Sequence, residues 1–235
     1  MNKEELIAKY GDERVFCVSN HHLNSWFRVK PNKIEALIEG MEKHGYFDLR
    51  HNAEIDYTAK QVIPYVVLKS GDEYFVTTRL KGDSRLVGGS SIAVGGHINP
   101  CDVGPMGMRY PSDTINNCLV RELLEETTIT MDDLMNAKLD FKTVFVDESS
   151  DVSKVHVCLL VVVEVDDKSN IDIKETEKLT GQWMNGDEVM GIIDRFEGWS
   201  KIAIDLLDIK QPETVEAAPK KTRKKSKTTK TEDNE

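Results

Sequence analysis

The apolar positions of this chain change period several times, and each change marks an element. Ile34, Leu37, Ile38 and Met41 recur at the spacing of one helix face and predict an amphipathic helix from Asn32 to His44. A short helix near Lys3 to Lys9 and a strand around Arg14 to Val18 precede it. The stretch "QVIPYVVLKSGDEYFVTTRL" holds two apolar runs joined at Ser70-Gly71-Asp72 and predicts a β-hairpin. "SIAVGGHI" predicts a further strand ending in glycines. Pro111-Ser112-Asp113 has the composition of a helix start, because Ser112 can accept from free backbone N–H groups and Asp113 sets an anion at the positive helix end. That helix should run to about Glu126. Strands follow near Leu139 to Val146, Lys154 to Val165 and Gln182 to Met184, then helices near Asp187 to Ile193 and Trp199 to Ile209. Mixed strands flanked by a few helices predict an α/β sandwich.

Length and charge narrow this picture. At 235 residues the chain suits one sizeable domain with extensions. We divide it into an N-terminal extension, residues 1–54, packed on a core domain of residues 55–211, and a disordered basic tail, residues 212–235. The tail carries 7 Lys and Arg against 5 Asp and Glu, so with a whole-chain charge of −10 the remainder stands at −12. An acidic body repels nucleic acid unless cations intervene, and the tail alone argues for such a partner. The start "MNKEELIAKYGDE" lacks the basic and apolar pattern of a secretory signal, and the run Val155 to Val165 is too short to cross a bilayer. Cys17, Cys101, Cys118 and Cys158 show neither a disulfide framework nor zinc-type pairing, which fits a reducing cytoplasm.

The chemistry concentrates in "RELLEE". Glu122, Glu125 and Glu126 fall at i, i+3 and i+4 on the predicted helix, so their carboxylates share one face while Leu119, Val120, Leu123 and Leu124 occupy another. Carboxylates this close raise one another's pKa unless a positive charge intervenes, and a hard divalent cation with oxygen ligands would serve. Read alone, the same segment is a solvated helix face with an Arg121–Glu125 pair.

Its surroundings favour the first reading. Gly96, followed at a distance by Arg121, Glu122, Leu123, Glu125, Glu126 and Ile129, resembles the Nudix hydrolase box, G-x5-E-x7-R-E-U-x-E-E-x-G-U. Counting forward from Gly96 puts the first acid at Asp102, and counting back from Arg121 puts it at Asp113, so we read an insertion of 11 residues between two intact halves. Asp113, fixed to the helix, is the preferred replacement. Thr128 stands at the second box glycine and is unsuited to a left-handed exit. The stretches "SIAVGGHIN", "ETEKLTGQWMNGDEV" and "EGWSKIAIDLL" extend the resemblance over residues 60–209, and "AEIDYTAKQVIPYVVL" is similar to a phosphoesterase subfamily with an N-terminal extension.

The resemblance implies an α/β/α sandwich with a mixed sheet. It also implies hydrolysis of a nucleoside diphosphate linked to another moiety, by attack of water on a pyrophosphate bond. Carried over by position, Glu122, Glu125, Glu126 and the Gly95 carbonyl would hold Mg²⁺, or Mn²⁺ in its place, and Arg121 would orient Glu122. Glu177 would be the general base, with Glu175 second. His97 could contact phosphate or be structural. His21 and His22 read as packing residues, and Arg50, Glu54, Asp56 and Lys60 as a surface ion-pair set. Trp183 and Trp199 read as core anchors. Two rival functions remain: a nucleotide-binding module without turnover, and a pyrophosphohydrolase of RNA 5′ ends. No residue names the substrate, and the oligomeric state is unknown.

Overall fold

The computed structural model describes residues 2–29, 34–81, 88–104 and 113–209. The expected tail lies outside these, as do Ser112 and the side chain of Asp113.

Helix α1 (Lys3–Tyr10) begins with a reciprocal cap, in which Asn2 accepts from the Glu5 N–H while the Glu5 carboxylate accepts from the Asn2 N–H. Strand β1 (Arg14–Ser19) is followed by α2 (Asn20–Val29), α3 (Ile34–His44), β2 (Tyr46–Leu49) and the single turn α4 (Arg50–Ala53). The hairpin forms as expected from β3 (Ala59–Ser70) and β4 (Glu73–Arg79), turning at Gly71 with φ +56°. The expected strand "SIAVGGHI" is instead two short pieces, β5 (Ser90–Ser91) and β6 (Val94–Gly95). Between them the Ser91 hydroxyl bonds both the N–H and the carbonyl of Ala93, and this local ring competes with the ladder. Helix α5 (Asp113–Glu126) leads into α6 (Met131–Asn136), β7 (Lys138–Phe145), β8 (His156–Glu164), β9 (Leu179–Asn185), α7 (Gly186–Gly191) and α8 (Gly198–Leu206).

The nine strands of the described residues form one mixed sheet. β3 is its spine. Along one edge it pairs in parallel with β8 from Gln61↔His156 to Lys69↔Glu164. Its antiparallel partners are β1 near Gln61, β6 near Tyr65 and β4 at Lys69 and Ser70. The expected N-terminal extension therefore adds two strands, β1 and β2, to the common sheet.

Alternation along the spine divides the core in two. Val62, Val66 and Leu68, with Val157, Leu159 and Val161, face α2, α3 and α5 and pack with Leu23, Met41, Ile115 and Leu123. Tyr65 and Val67, with Cys158, Leu160 and Val162, face α7 and α8 and pack with Val189, Phe196 and Ile204. This period of two builds the predicted three-layer sandwich. It also fixes α5 against the sheet by its apolar arc, which leaves the acidic arc beside the end of β6.

Candidate active site

The two glycines at the end of β6 both make room. A Cβ on Gly95, which pairs with Tyr65, would stand 2.7 Å from the Pro64 carbonyl oxygen, and one on Gly96 2.1 Å from the Glu122 carboxyl carbon. A side chain at position 96 would displace the Glu122 carboxylate.

Arg121 ties the halves together. Its Nε and Nη2 donate to the two carboxylate oxygens of Asp102 at 2.8 and 3.0 Å, a bidentate pair. Nη2 also donates to the His97 carbonyl at 3.0 Å, while Nη1 donates to Glu122 at 2.7 Å and to Glu125 at 3.2 Å. Asp102 is 2% exposed and its other bond, from the Asn99 N–H, closes a turn of 3-10 helix at Pro100–Asp102. Among the described residues, the acid held by Arg121 is Asp102, found by counting forward from Gly96; the side chain of Asp113, the preferred replacement, lies outside them.

Electrostatics divide the three glutamates. Glu125 is exposed, and Glu122 is half-buried with its carboxyl pushed up by burial against the opposing pull of Arg121. Glu126 is pushed up to about 7, first by burial, then by the charges of Glu122, Glu175 and Glu125, with Arg79 opposing. Glu175 enters here because the late loop is fastened to the end of α5. The Thr128 hydroxyl donates to the Asn170 carbonyl at 2.6 Å and accepts from the Asp172 N–H at 2.8 Å, and the Lys174 N–H reaches the Glu126 carbonyl at 2.9 Å. Threonine at the box-glycine position therefore anchors the loop, and its φ is not positive. Glu177 is exposed and is not among the charges that dominate at Glu126.

Oxygen donors crowded around a shortage of positive charge fit a hard divalent cation. Even so, Glu122 and Glu125 are turned toward Arg121, and the three glutamates do not form a tight ligand group. Among the described residues, the group with ligand atoms within 4.8 Å of one another is Glu54, His97 and His156. His156 was legible only as the one histidine in an apolar run. A cavity of about 460 Å³ opens beside it, with Gly95, Gly96, His97, His156, Glu197 and Trp199 in its wall. Trp199 packs edge-on against Tyr65 and Phe145, so it serves the core and the cavity together.

The other candidates fall elsewhere. Arg50 bridges Glu13 and Glu54, Asp56 caps Thr58, and the buried Lys60 donates to the Lys154 carbonyl. His22 stacks on His44 and Trp26, with His21 edge-on to it. Trp183 packs on Phe75 and donates to the Ile171 carbonyl. Cys17, Cys118 and Cys158 are buried, Cys101 is exposed, and all four are free thiols.

Comparison with known proteins identifies the family. The family model described as the NUDIX domain matches residues 66–207. Protein YmaB of Bacillus subtilis strain 168 is 35% identical over 163 residues, which are 68% of this chain and 76% of that protein. The crystal structure of Tm1382, which carries a provisional Nudix hydrolase assignment, superposes with a TM-score of 0.66 at 27% identity, covering 84% of this chain and all of that one. No helix among the described residues is long and apolar enough to cross a membrane. The matched domain, together with a glycine that admits Glu122 and an arginine that rejoins the divided box, makes the chain a member of the Nudix family and a hydrolase of pyrophosphate bonds.

Proposed function

We propose that the chain is a metal-dependent hydrolase of a nucleoside diphosphate linked to a second moiety. The observation that carries this reading is the repair of the box across its insertion: Arg121 holds Asp102, the His97 carbonyl and Glu122 at once. Glu122, Glu125, Glu126 and the Gly95 carbonyl would hold Mg²⁺ or Mn²⁺, which neutralises diphosphate oxygens and stabilises charge developing at phosphorus. Arg121 orients Glu122 and spaces it from Glu125. The charge that Glu175 exerts on Glu126 favours Glu175 over Glu177 as the base taking the proton of the attacking water. The cavity beside His97 and Trp199 has the size of a small-molecule site and suits the group linked to the diphosphate.

Screening nucleoside triphosphates, dinucleoside polyphosphates, nucleotide sugars, ADP-ribose and triphosphorylated RNA with Mg²⁺ or Mn²⁺ in ¹⁸O-water tests the proposal. A nucleotide and a phosphorylated partner, with solvent oxygen on one phosphate, is the expected result. Cleavage confined to phosphomonoesters refutes it. Binding without turnover would make the chain a nucleotide sensor, and turnover confined to RNA 5′ ends would make it a processing enzyme.

A further inference from the structure

The group formed by Glu54, His97 and His156 shares only His97, the residue after Gly96, with the box and includes none of its carboxylates, and its parts come from three distant segments: the turn after α4, the segment following β6 and the start of β8. The two imidazoles meet through their Nε2 atoms, 3.2 Å apart. A tetrahedral zinc ion with Zn–N bonds of about 2.0–2.1 Å separates two nitrogen ligands by about 3.3 Å. The pair already has that spacing. The Nδ1 of His156 lies 2.7 Å from the Val152 carbonyl, which can only accept, so this nitrogen carries the proton and Nε2 presents a lone pair. Carbonyl support of this kind orients ligating histidines in metal sites. A carboxylate oxygen of Glu54 lies within 4.8 Å of a ring nitrogen of each histidine. Arg50, which pairs with Glu54, has a second carboxylate partner in Glu13. The backbone of His97 is held by Arg121, and His156 is buried at the first position of β8, so the imidazoles are fixed by the sheet.

We infer that Glu54, His97 and His156 form a second metal site, distinct from the glutamates of the box, for a borderline-soft divalent ion of the zinc class. Two histidines and one glutamate form a donor set that zinc takes where a fourth position is kept open, and imidazole nitrogen prefers such ions to Mg²⁺. Both imidazoles line the cavity, so the open position is available to an anionic oxygen of whatever occupies it.

Full-length protein stripped with EDTA, given Zn²⁺ in a large excess of Mg²⁺, and then gel-filtered reads the site by bound-metal analysis, with Co²⁺ as a spectroscopic probe. The parent should retain one zinc per chain, and Co²⁺ should give the intense visible bands of a four-coordinate ion. Zinc affinity in His156→Gln and in His97→Gln should fall by more than the roughly 10–100-fold that loss of an outer partner costs. Glu54→Gln should weaken zinc by about 10-fold or more. Glu126→Gln should keep the zinc, which separates this site from the glutamates of the box and makes the result independent of the function proposed above. Failure of the parent to retain zinc overturns the inference, as does retention that survives His97→Gln or is lost in Glu126→Gln. If His156→Gln does not fold, the Co²⁺ spectrum of the parent decides, and the weak bands of a six-coordinate ion overturn it.

Discussion

Replacing Glu126 with glutamine probes the acid cluster without changing its shape. In metal-free protein the Glu126 carboxyl moves from an ordinary 4.5 to about 7. At about 1.4 kcal/mol for each pH unit, this displacement corresponds to about 3 kcal/mol at most. Glu126 is only half-buried, so solvent screening lowers the figure to about 1–2 kcal/mol. The sign follows from linkage: a raised carboxyl favours the folded state while protonated, so that contribution is complete below 4.5 and is lost as pH rises through about 7. Metal-free Glu126→Gln should therefore match the parent near pH 4.5 and exceed it at pH 8, with a Tm higher by about 2–8 °C for a chain of this size. Mg²⁺ should raise the parent's Tm, since an ion at 100 times its Kd adds about 2.7 kcal/mol to the folded state. The variant should gain less and turn over slower by orders of magnitude. Melting curves at both pH values, with EDTA and with Mg²⁺, together with turnover, measure all of this. A variant less stable than the parent at pH 8 in EDTA, or one that keeps both its Mg²⁺ response and its activity, refutes the reasoning.

Asp102→Asn should destabilise the protein by about 2–4 kcal/mol in denaturant unfolding, because it leaves Arg121 without its bidentate partner while Arg121 keeps some access to solvent. Gly96→Ala should lower kcat by at least about 100-fold while the circular dichroism spectrum stays native, because the new methyl takes the place of the Glu122 carboxyl. Glu175→Gln should lower kcat by about 10²–10⁴ and remove a limb of the pH–rate profile. Glu177→Gln should leave both near the parent's values, and the reverse ranking would restore Glu177 as the base.

Where burial follows period, the chain was readable. Ile34, Leu37, Ile38 and Met41, the hairpin around Gly71 and the apolar run of β8 all appear where their spacing put them. Helix α2 was not readable, because "NHHLNSWFRV" gains its helix from the packing of Leu23, Trp26 and Phe27 on the core rather than from a clean stripe. Helix α6 carried a missed signal, the reciprocal cap between Thr130 and Asp133. In the site, the order of the acids was legible but their partners were not. Counting offers both Asp102 and Asp113, and the choice depends on the path taken by a chain that leaves β6 and closes a turn at Asn99. The cluster of Glu54, His97 and His156 was equally hidden, since 43 and 59 residues separate its members along the chain. Thr128 looked like a defect because the position was judged by backbone freedom alone, whereas its hydroxyl fastens the late loop.

The parallel pairing of β3 with β8 also governs how the protein is made. Gln61 meets His156, 95 residues downstream, so during synthesis at about 5–20 residues per second the spine waits roughly 5–19 s for its longest partner. Throughout that interval "VIPYVVL" is an apolar ribbon with an open edge, the kind of segment that recruits a neighbouring chain. Pro64 sits in its middle, at the register of Leu159 and between the stretches that pair with β1 and β6. A proline has no amide hydrogen to offer an intruding strand. The nascent ribbon thus carries its own gatekeeper, and Pro64→Val should aggregate more on a slowed ribosome than its folded stability would suggest.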